Sequence, residues 1–244
     1  MTRQTRQVGD KGRPRWRRRA DARPHEILDA ALAVFAEQGF ARSRLDDVAR
    51  RAGVTKGTVY LYFDSKEALF REVVKAKVGH SVTRGEEFVR TFQGPARELL
   101  CAFIERYWAS LLQPDNAQLA RLAMTEFGSF PDLLRFYLDE VVQRAHRLIA
   151  SIIKQGVSQA EFRAVDPGFA AGALQTLCVH LARAQRFPRS ETGPQRSDEK
   201  VIAGIIDLYF NGLLVAPTTA DDLPKKVPVA GPRGKSSRSR DAHR

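Results

Sequence analysis

Residues 45–63 read LDDVARRAGVTKGTVYLYF, two short helical stretches on either side of Gly53. Two helices joined by so tight a turn must approach closely, and the small residues Ala49 and Ala52 suit that contact. Gly53 has the conformational freedom to reverse the chain in a few residues. Val54 follows as an apolar anchor, and Thr55 is the N-cap of a second helix running to about Phe63. At ~100° per residue, Val59 and Phe63 share one inward face of that helix. Gly57 and Leu61 then point away from it with Thr58 beside them, and Tyr60 and Tyr62 fall on opposite flanks.

Such an outward face is small, uncharged and partly apolar, which suits insertion into a major groove. Gly57 lets the backbone approach base edges, Thr58 can exchange a hydrogen bond and Leu61 can touch a thymine methyl. Tyr60, Tyr62, Lys56 and Lys66 are within reach of phosphates on the groove walls. Ser43 and Thr55, at helix starts, leave backbone N–H groups facing outward. Residues 41–66 carry a net charge of +3. A plainer alternative, two packed helices with no partner, leaves Leu61 and the two tyrosines without a purpose.

Outward from this segment the chain reads helical. HEILDAALAVFAEQGF places Leu28, Ala31, Leu32 and Phe35 on one face and ends at Gly39, a C-cap. Ser43 with Asp46 three residues on resembles a capping box for the next helix. Asp64 and Ser65 open a long helix to about Arg90. After TFQGP, helices are expected near 95–112, 116–127, 131–156, 167–186 and 197–213, separated by QPDN, GSFPD, the EFRAVDP stretch and FPRSETGP. The expectation is an all-α chain of about nine helices.

The chain has 244 residues and a net charge of +12, so a polyanionic partner is the first to consider. Residues 1–24 hold +7 of it and 221–244 hold +4, which leaves +1 for 25–220. The two ends read as basic flexible arms, either DNA-seeking or inert. Cys101 and Cys178 belong to no CxxC pair, which excludes a disulfide framework and a cysteine zinc site. The longest uncharged run, Pro167–Ala182, is too short for a membrane span, and the basic N-terminus precedes no apolar stretch. A cytoplasmic location is the expectation.

The stretch GF-x4-LDDVARRAGVTKGTVYLYFDSKEALF resembles the DNA-binding domain of the TetR family of bacterial transcriptional regulators. It matches the Gly-Val-Ser/Thr-Lys-Gly-Thr, aromatic-x-aromatic-Phe and Ser-Lys-Glu-x-Leu pattern over about residues 25–71. The resemblance implies DNA contacts from Ser43, Arg44, Thr55, Lys56, Thr58, Tyr60, Tyr62 and Lys66, and core roles for Val59 and Phe63. Arg44 departs from the small hydroxyl residues frequent there. The implied organisation is a basic arm (1–24), a helix-turn-helix DNA-binding domain (25–71), a ligand-binding and dimerisation domain (72–216) and a basic tail (217–244). RLAMTEFGSFPDLLRFY resembles a segment found in a subset of the family.

Residues 95–160 are rich in bulky apolar side chains, which either line an effector pocket or form ordinary core. Phe103, Tyr107, Trp108, Met124 and Phe127, with His180, are the candidates, Trp108 and Tyr107 foremost because each carries a polar handle. Residues 168–184 and 201–214 are apolar almost all round, which suggests burial against a second copy, unless one of these helices crosses the monomer core. The five histidines show no metal spacing, no phosphate loop or Gly-x-Ser-x-Gly elbow occurs, and no cofactor or catalytic constellation is visible. A DNA-binding repressor released by a small hydrophobic effector is therefore expected. An activator, an architectural DNA-binding protein, and a small-molecule-binding protein or enzyme that kept the helical body are the alternatives.

Overall fold

The structure, a computed structural model, describes residues 15–185 and 197–211. Its helices are α1 (Arg15–Gln38), α2 (Leu45–Arg51), α3 (Lys56–Tyr62), α4 (Lys66–Val74), α5 (His80–Thr91), α6 (Ala96–Leu111), α7 (Pro114–Thr125), α8 (Pro131–Tyr137), α9 (Gln143–Ser158), α10 (Pro167–Gln185) and α11 (Asp198–Asn211). π-helical turns at Lys75–Gly79 and Leu138–Val142 join α4 to α5 and α8 to α9 without a break. The described residues thus form nine continuous rods and no strand, the all-α architecture expected.

Most ends fall where turn chemistry placed them. Gly39 and Gly53 both take positive φ, +82° and +64°, and stop α1 and α2 there. Asp46 and Asp47 in the first turn of α2 and Arg50 and Arg51 in its last complement the helix dipole. Thr55 and Ser65 cap α3 and α4, their hydroxyls accepting from Thr58 N–H and Ala68 N–H.

Two boundaries differ from expectation. α1 begins at Arg15 rather than His25, because its Arg- and Ala-rich first turns favour helix and Pro24 removes one main-chain bond without ending it. The N-cap of α2 is Arg44, whose N–H donates to Asp47 Oδ2 at 3.3 Å, one residue beyond the expected Ser43–Asp46 box. Residues 1–14 of the basic arm, the FPRSETGP separator, the expected helix ends at 186 and 212–213, and the 217–244 tail lie outside the described residues.

The chain divides into a compact unit to Ile206 and a second from Asp207, of which Asp207–Asn211, the end of α11, is described. Within the first, the expected DNA-binding and regulatory regions share one core that runs from Ile27 through Val59 and Phe70 to Leu119, Phe127 and Val141. Phe127, just past α7, sits 4.8 Å from Phe70 and 6.0 Å from Phe40, centroid to centroid. Phe130 lies 5.0 Å from Phe40. Edge-to-face aromatic packing thus joins the segment after α7 to the three-helix bundle.

α10 packs on α9 through Ala171, Leu174, Cys178 and Ala182, with Gln175 beside them. In the single chain it leaves one face exposed. Phe169 is 80% exposed, and Ala173, Thr176, Val179 and His180 are also exposed.

A candidate DNA-binding helix and a mostly apolar cavity

α3 presents the two faces that the helical angles anticipate. Val59 is fully buried and Phe63, its C-cap, nearly so, whereas Leu61 is 78% exposed and Tyr60 and Tyr62 are exposed on either side. Gly57 is exposed and Thr58 half-buried. Thr55 Oγ1 lies 2.9 Å from Thr58 Oγ1, so the two hydroxyls share one hydrogen bond and orient each other. Lys56 Nζ pairs with Asp46 at 2.9 Å, and this partner raises its pKa above the ordinary value. The ion pair ties the first turn of α3 back to α2 while leaving the ammonium at the surface. Arg44 is exposed beside it.

Two expected contact residues are engaged within the fold. The Ser43 side chain is buried and its hydroxyl donates to the Phe40 carbonyl at 2.8 Å, so it is closed to an outside phosphate. Lys66 Nζ donates to the carbonyls of Phe40, Ala41 and Ser43 at 2.7, 3.2 and 3.1 Å and lies 4.5 Å over the Phe40 ring. All three ammonium donors are therefore occupied. Lys66 locks the α1–α2 turn from the side of α4.

That turn is held from the other side by residues the sequence reading did not single out. Glu126 Oε2 accepts from Ala41 N–H at 3.3 Å, and Arg121 donates to the Ala36 carbonyl at 2.6 Å. Lys77, in the π-turn after α4, pairs with Asp29 of α1 and with Asp115 of α7, the latter at 3.3 Å. These links cross 38 to 85 positions of sequence, a separation that helical periodicity does not report.

Between α5, α6, α7, the α8–α9 rod and α10 lies a cavity of about 880 Å³, mostly apolar in its lining. Of the expected pocket residues, Phe103, Tyr107, Met124 and His180 line it. Trp108 and Phe127 do not. Trp108 is 1% exposed in the core, its Nε1 without a partner among the described residues, and Phe127 belongs to the aromatic cluster around Phe40 and Phe70. Residues 107 and 108 are neighbours on one helix, about 100° apart; Tyr107 turns to the cavity beside Arg106, and Trp108 turns into the core.

The cavity also gathers Tyr137 and Gln175. Gln175 Nε2 donates to the Val142 carbonyl at 3.0 Å and lies 3.5 Å from the Tyr107 hydroxyl. Burial pushes the Tyr107 phenol well above its ordinary pKa and that of Tyr137 up to about 12, so both are neutral donors at physiological pH. Both π-turns contribute lining residues, Val78 from the first and Leu138, Val141 and Val142 from the second. Such turns recur where a helix bends to shape a site. Ala120, Ala123 and Met124 line the cavity from α7, the helix that carries Arg121 and ends beside Glu126. Among the described residues no group of side chains could hold a metal ion, and no helix is long and apolar enough to cross a membrane.

Comparison with known proteins agrees with this arrangement. The family described as bacterial regulatory proteins, tetR family, matches residues 27–73, and the C-terminal domain of AefR-like transcriptional repressors matches residues 98–211. The fatty acid metabolism regulator protein of Bacillus subtilis is 32% identical over 162 residues, covering 66% of this chain and 76% of its own. Among solved structures, the TetR family transcriptional regulator PfmR from Thermus thermophilus aligns with a TM-score of 0.60 at 25% identity, over 77% of this chain and 98% of its own. The regulator FadR from Bacillus subtilis, solved in complex with stearoyl-CoA, has the same fold (TM-score 0.60, 24% identity, 78% and 99% coverage). With a helix-turn-helix whose second helix turns Leu61 outward and a helical body that contains a cavity, the chain belongs to the TetR family and is a DNA-binding transcriptional regulator.

Proposed function

We propose that the chain is a cytoplasmic repressor that binds a near-palindromic operator as a homodimer and is released by a small hydrophobic effector. One α3 helix from each protomer would occupy successive major grooves, with Gly57, Thr58 and Leu61 against base edges. Arg44, Thr55, Lys56, Tyr60 and Tyr62 would contact the backbone on either side. The observation that carries this reading is the exposed Leu61 between two exposed tyrosines on a helix anchored by Val59 and Phe63. An apolar side chain so placed costs free energy in water and recovers it against a thymine methyl.

The exposed face of α10 supports dimerisation. Phe169, Gly172, Ala173, Thr176 and His180 form one shallow groove along it, apolar and small enough for close helix approach. Repression is favoured by the match to a repressor's C-terminal domain.

Release would follow from differential affinity: an effector that binds one arrangement of α7 and the π-turns more tightly shifts the population toward it. Arg121, Glu126 and Lys77 connect those elements to α1 and the α1–α2 turn, which carry the helix-turn-helix. Selection of bound duplexes from a random pool tests the reading. The expected product is a site with two related half-sites about 34–36 Å apart, preferred over bulk DNA by at least ~10³-fold. No enrichment, with tight binding to all sequences, would instead identify an architectural protein.

A further inference from the structure

The cavity is one-sided in charge. Arg84, Arg106 and Arg183 line it together with His180, and no aspartate or glutamate does. Elsewhere the chain pairs the cations of this region closely: Arg144 is held by Glu86 and Glu140 at 2.7 and 3.1 Å, and Arg90 by Glu87 at 2.6 Å. Arg84 has neither an ion pair nor a hydrogen bond among the described residues, and Arg106 has only an aromatic contact, its guanidinium 4.1 Å from the centre of the Phe88 ring.

These two arginines stand on the same seam. Ser81 and Ser110 hydrogen-bond across α5 and α6 at 2.9 Å, about one turn from Arg84 on one helix and from Arg106 on the other. Phe88, under Arg106, is one turn beyond Arg84 on α5. The serine pair and the Arg106–Phe88 contact therefore bracket Arg84, so both arginines, exposed to solvent, stand at one polar edge of the cavity. Inward from that edge the lining is apolar, with Val82, Phe103, Leu134, Val141 and Leu148.

A guanidinium at the edge of an apolar cavity is a costly neighbour for a neutral or cationic guest and a strong partner for a planar or tetrahedral oxyanion. We propose that the cavity takes an elongated amphiphile with one anionic head group, held between Arg84 and Arg106 at the α5–α6 seam, and with its apolar chain filling the interior. The volume, about 880 Å³, falls within the range that encloses such a molecule. This proposal rests on the reading of the cavity as the effector site. It adds a sign of charge and an orientation, head toward α5–α6 and chain toward the π-turns.

The test uses the full chain and four probes of equal chain length: hexadecanoate, hexadecyl phosphate, hexadecanol and hexadecyltrimethylammonium, each kept below its aggregation concentration. Dissociation constants are measured by calorimetry. At least one anion is expected to bind about tenfold or more tightly than the alcohol, since a hydrogen bond to a charged group contributes that much. The ammonium should bind weakest, and the two anions together distinguish carboxylate from phosphate. Arg84→Gln and Arg106→Gln should each remove most of that preference while the alcohol's constant stays within about twofold.

Equal binding of all four probes, tighter binding of the ammonium, or arginine variants that weaken the alcohol as much as the anions would overturn the head-group assignment. Absence of binding by every probe would overturn it too. The bound anion is then added to an operator complex. If it binds through Arg84 and Arg106 but leaves the operator occupied, the head-group site stands and the effector role proposed above fails.

Discussion

The carboxylate of Glu126 lies against Gly39: it accepts the Ala41 N–H at 3.3 Å, and a Cβ on Gly39 would stand 2.8 Å from Glu126 Oε1. The chain thus meets the end of α7 at a glycine with φ +82°, where a side chain is disfavoured by both backbone and space. Gly39→Ala should cost roughly 1–2 kcal/mol in urea unfolding, and Glu126→Ala about 1 kcal/mol. The double variant should cost less than the sum, because removing the carboxylate relieves the steric part. Strict additivity would show that the two residues do not meet.

Lys66 gives a second expectation. Lys66→Met keeps an unbranched side chain but removes the ammonium donor from three carbonyls, of which only that of Phe40 keeps the Ser43 hydroxyl, at a cost of roughly 1–3 kcal/mol in stability. At a temperature where the variant is fully folded, its operator affinity and the salt dependence of that affinity should match the parent. A drop in the salt slope by about one would mean that Lys66 contacts a phosphate after all.

Burial sets a pH response on the alkaline side. It pushes the Cys178 thiol up to about 12 from 9.0, and the Tyr137 phenol to about 12 from 10.0. At pH 7 both groups are protonated in the folded and unfolded chain, so neither shift affects stability there. Above pH 9 the unfolded chain releases protons that the folded chain retains. Stability then falls with pH by ~1.4 kcal/mol per pH unit for each titrating group. Melting temperatures between pH 8 and 10.5 should show this decline, and Cys178→Ala should make it shallower. A flat profile in both proteins would contradict the burial of that thiol.

Much of the fold was legible because helix ends carry their own chemistry. Gly39, Gly53, Thr55 and Ser65 each mark a boundary through a local conformation or a cap, and local rules find them. Ser43-x-x-Asp46 fits the cap pattern by residue type, yet the helix starts one residue later, with Arg44 as N-cap and Asp47 accepting its N–H. The choice between them is made by the burial of the Ser43 hydroxyl against the Phe40 carbonyl, a tertiary matter. Tyr107 and Trp108 posed the same difficulty, since periodicity sets the angle between them but not which side holds the cavity. Arg84 and Arg106 are exposed charges, and only the placement of α5 beside α6 shows that they also line the cavity. The exposed face of α3 was readable because Val59 and Phe63 define its opposite within a single helix.

The central claim is that α3 reads base edges with the face carrying Thr58 and Leu61. The most direct measurement is the base preference of the parent, Thr58→Ala and Leu61→Ala proteins, selected in parallel from one random duplex pool. Each variant should relax preference at one defined position in both half-sites, at about 1–3 kcal/mol on the best site, with the remaining positions unchanged. Profiles identical to the parent for both variants would place the reading surface elsewhere on the molecule.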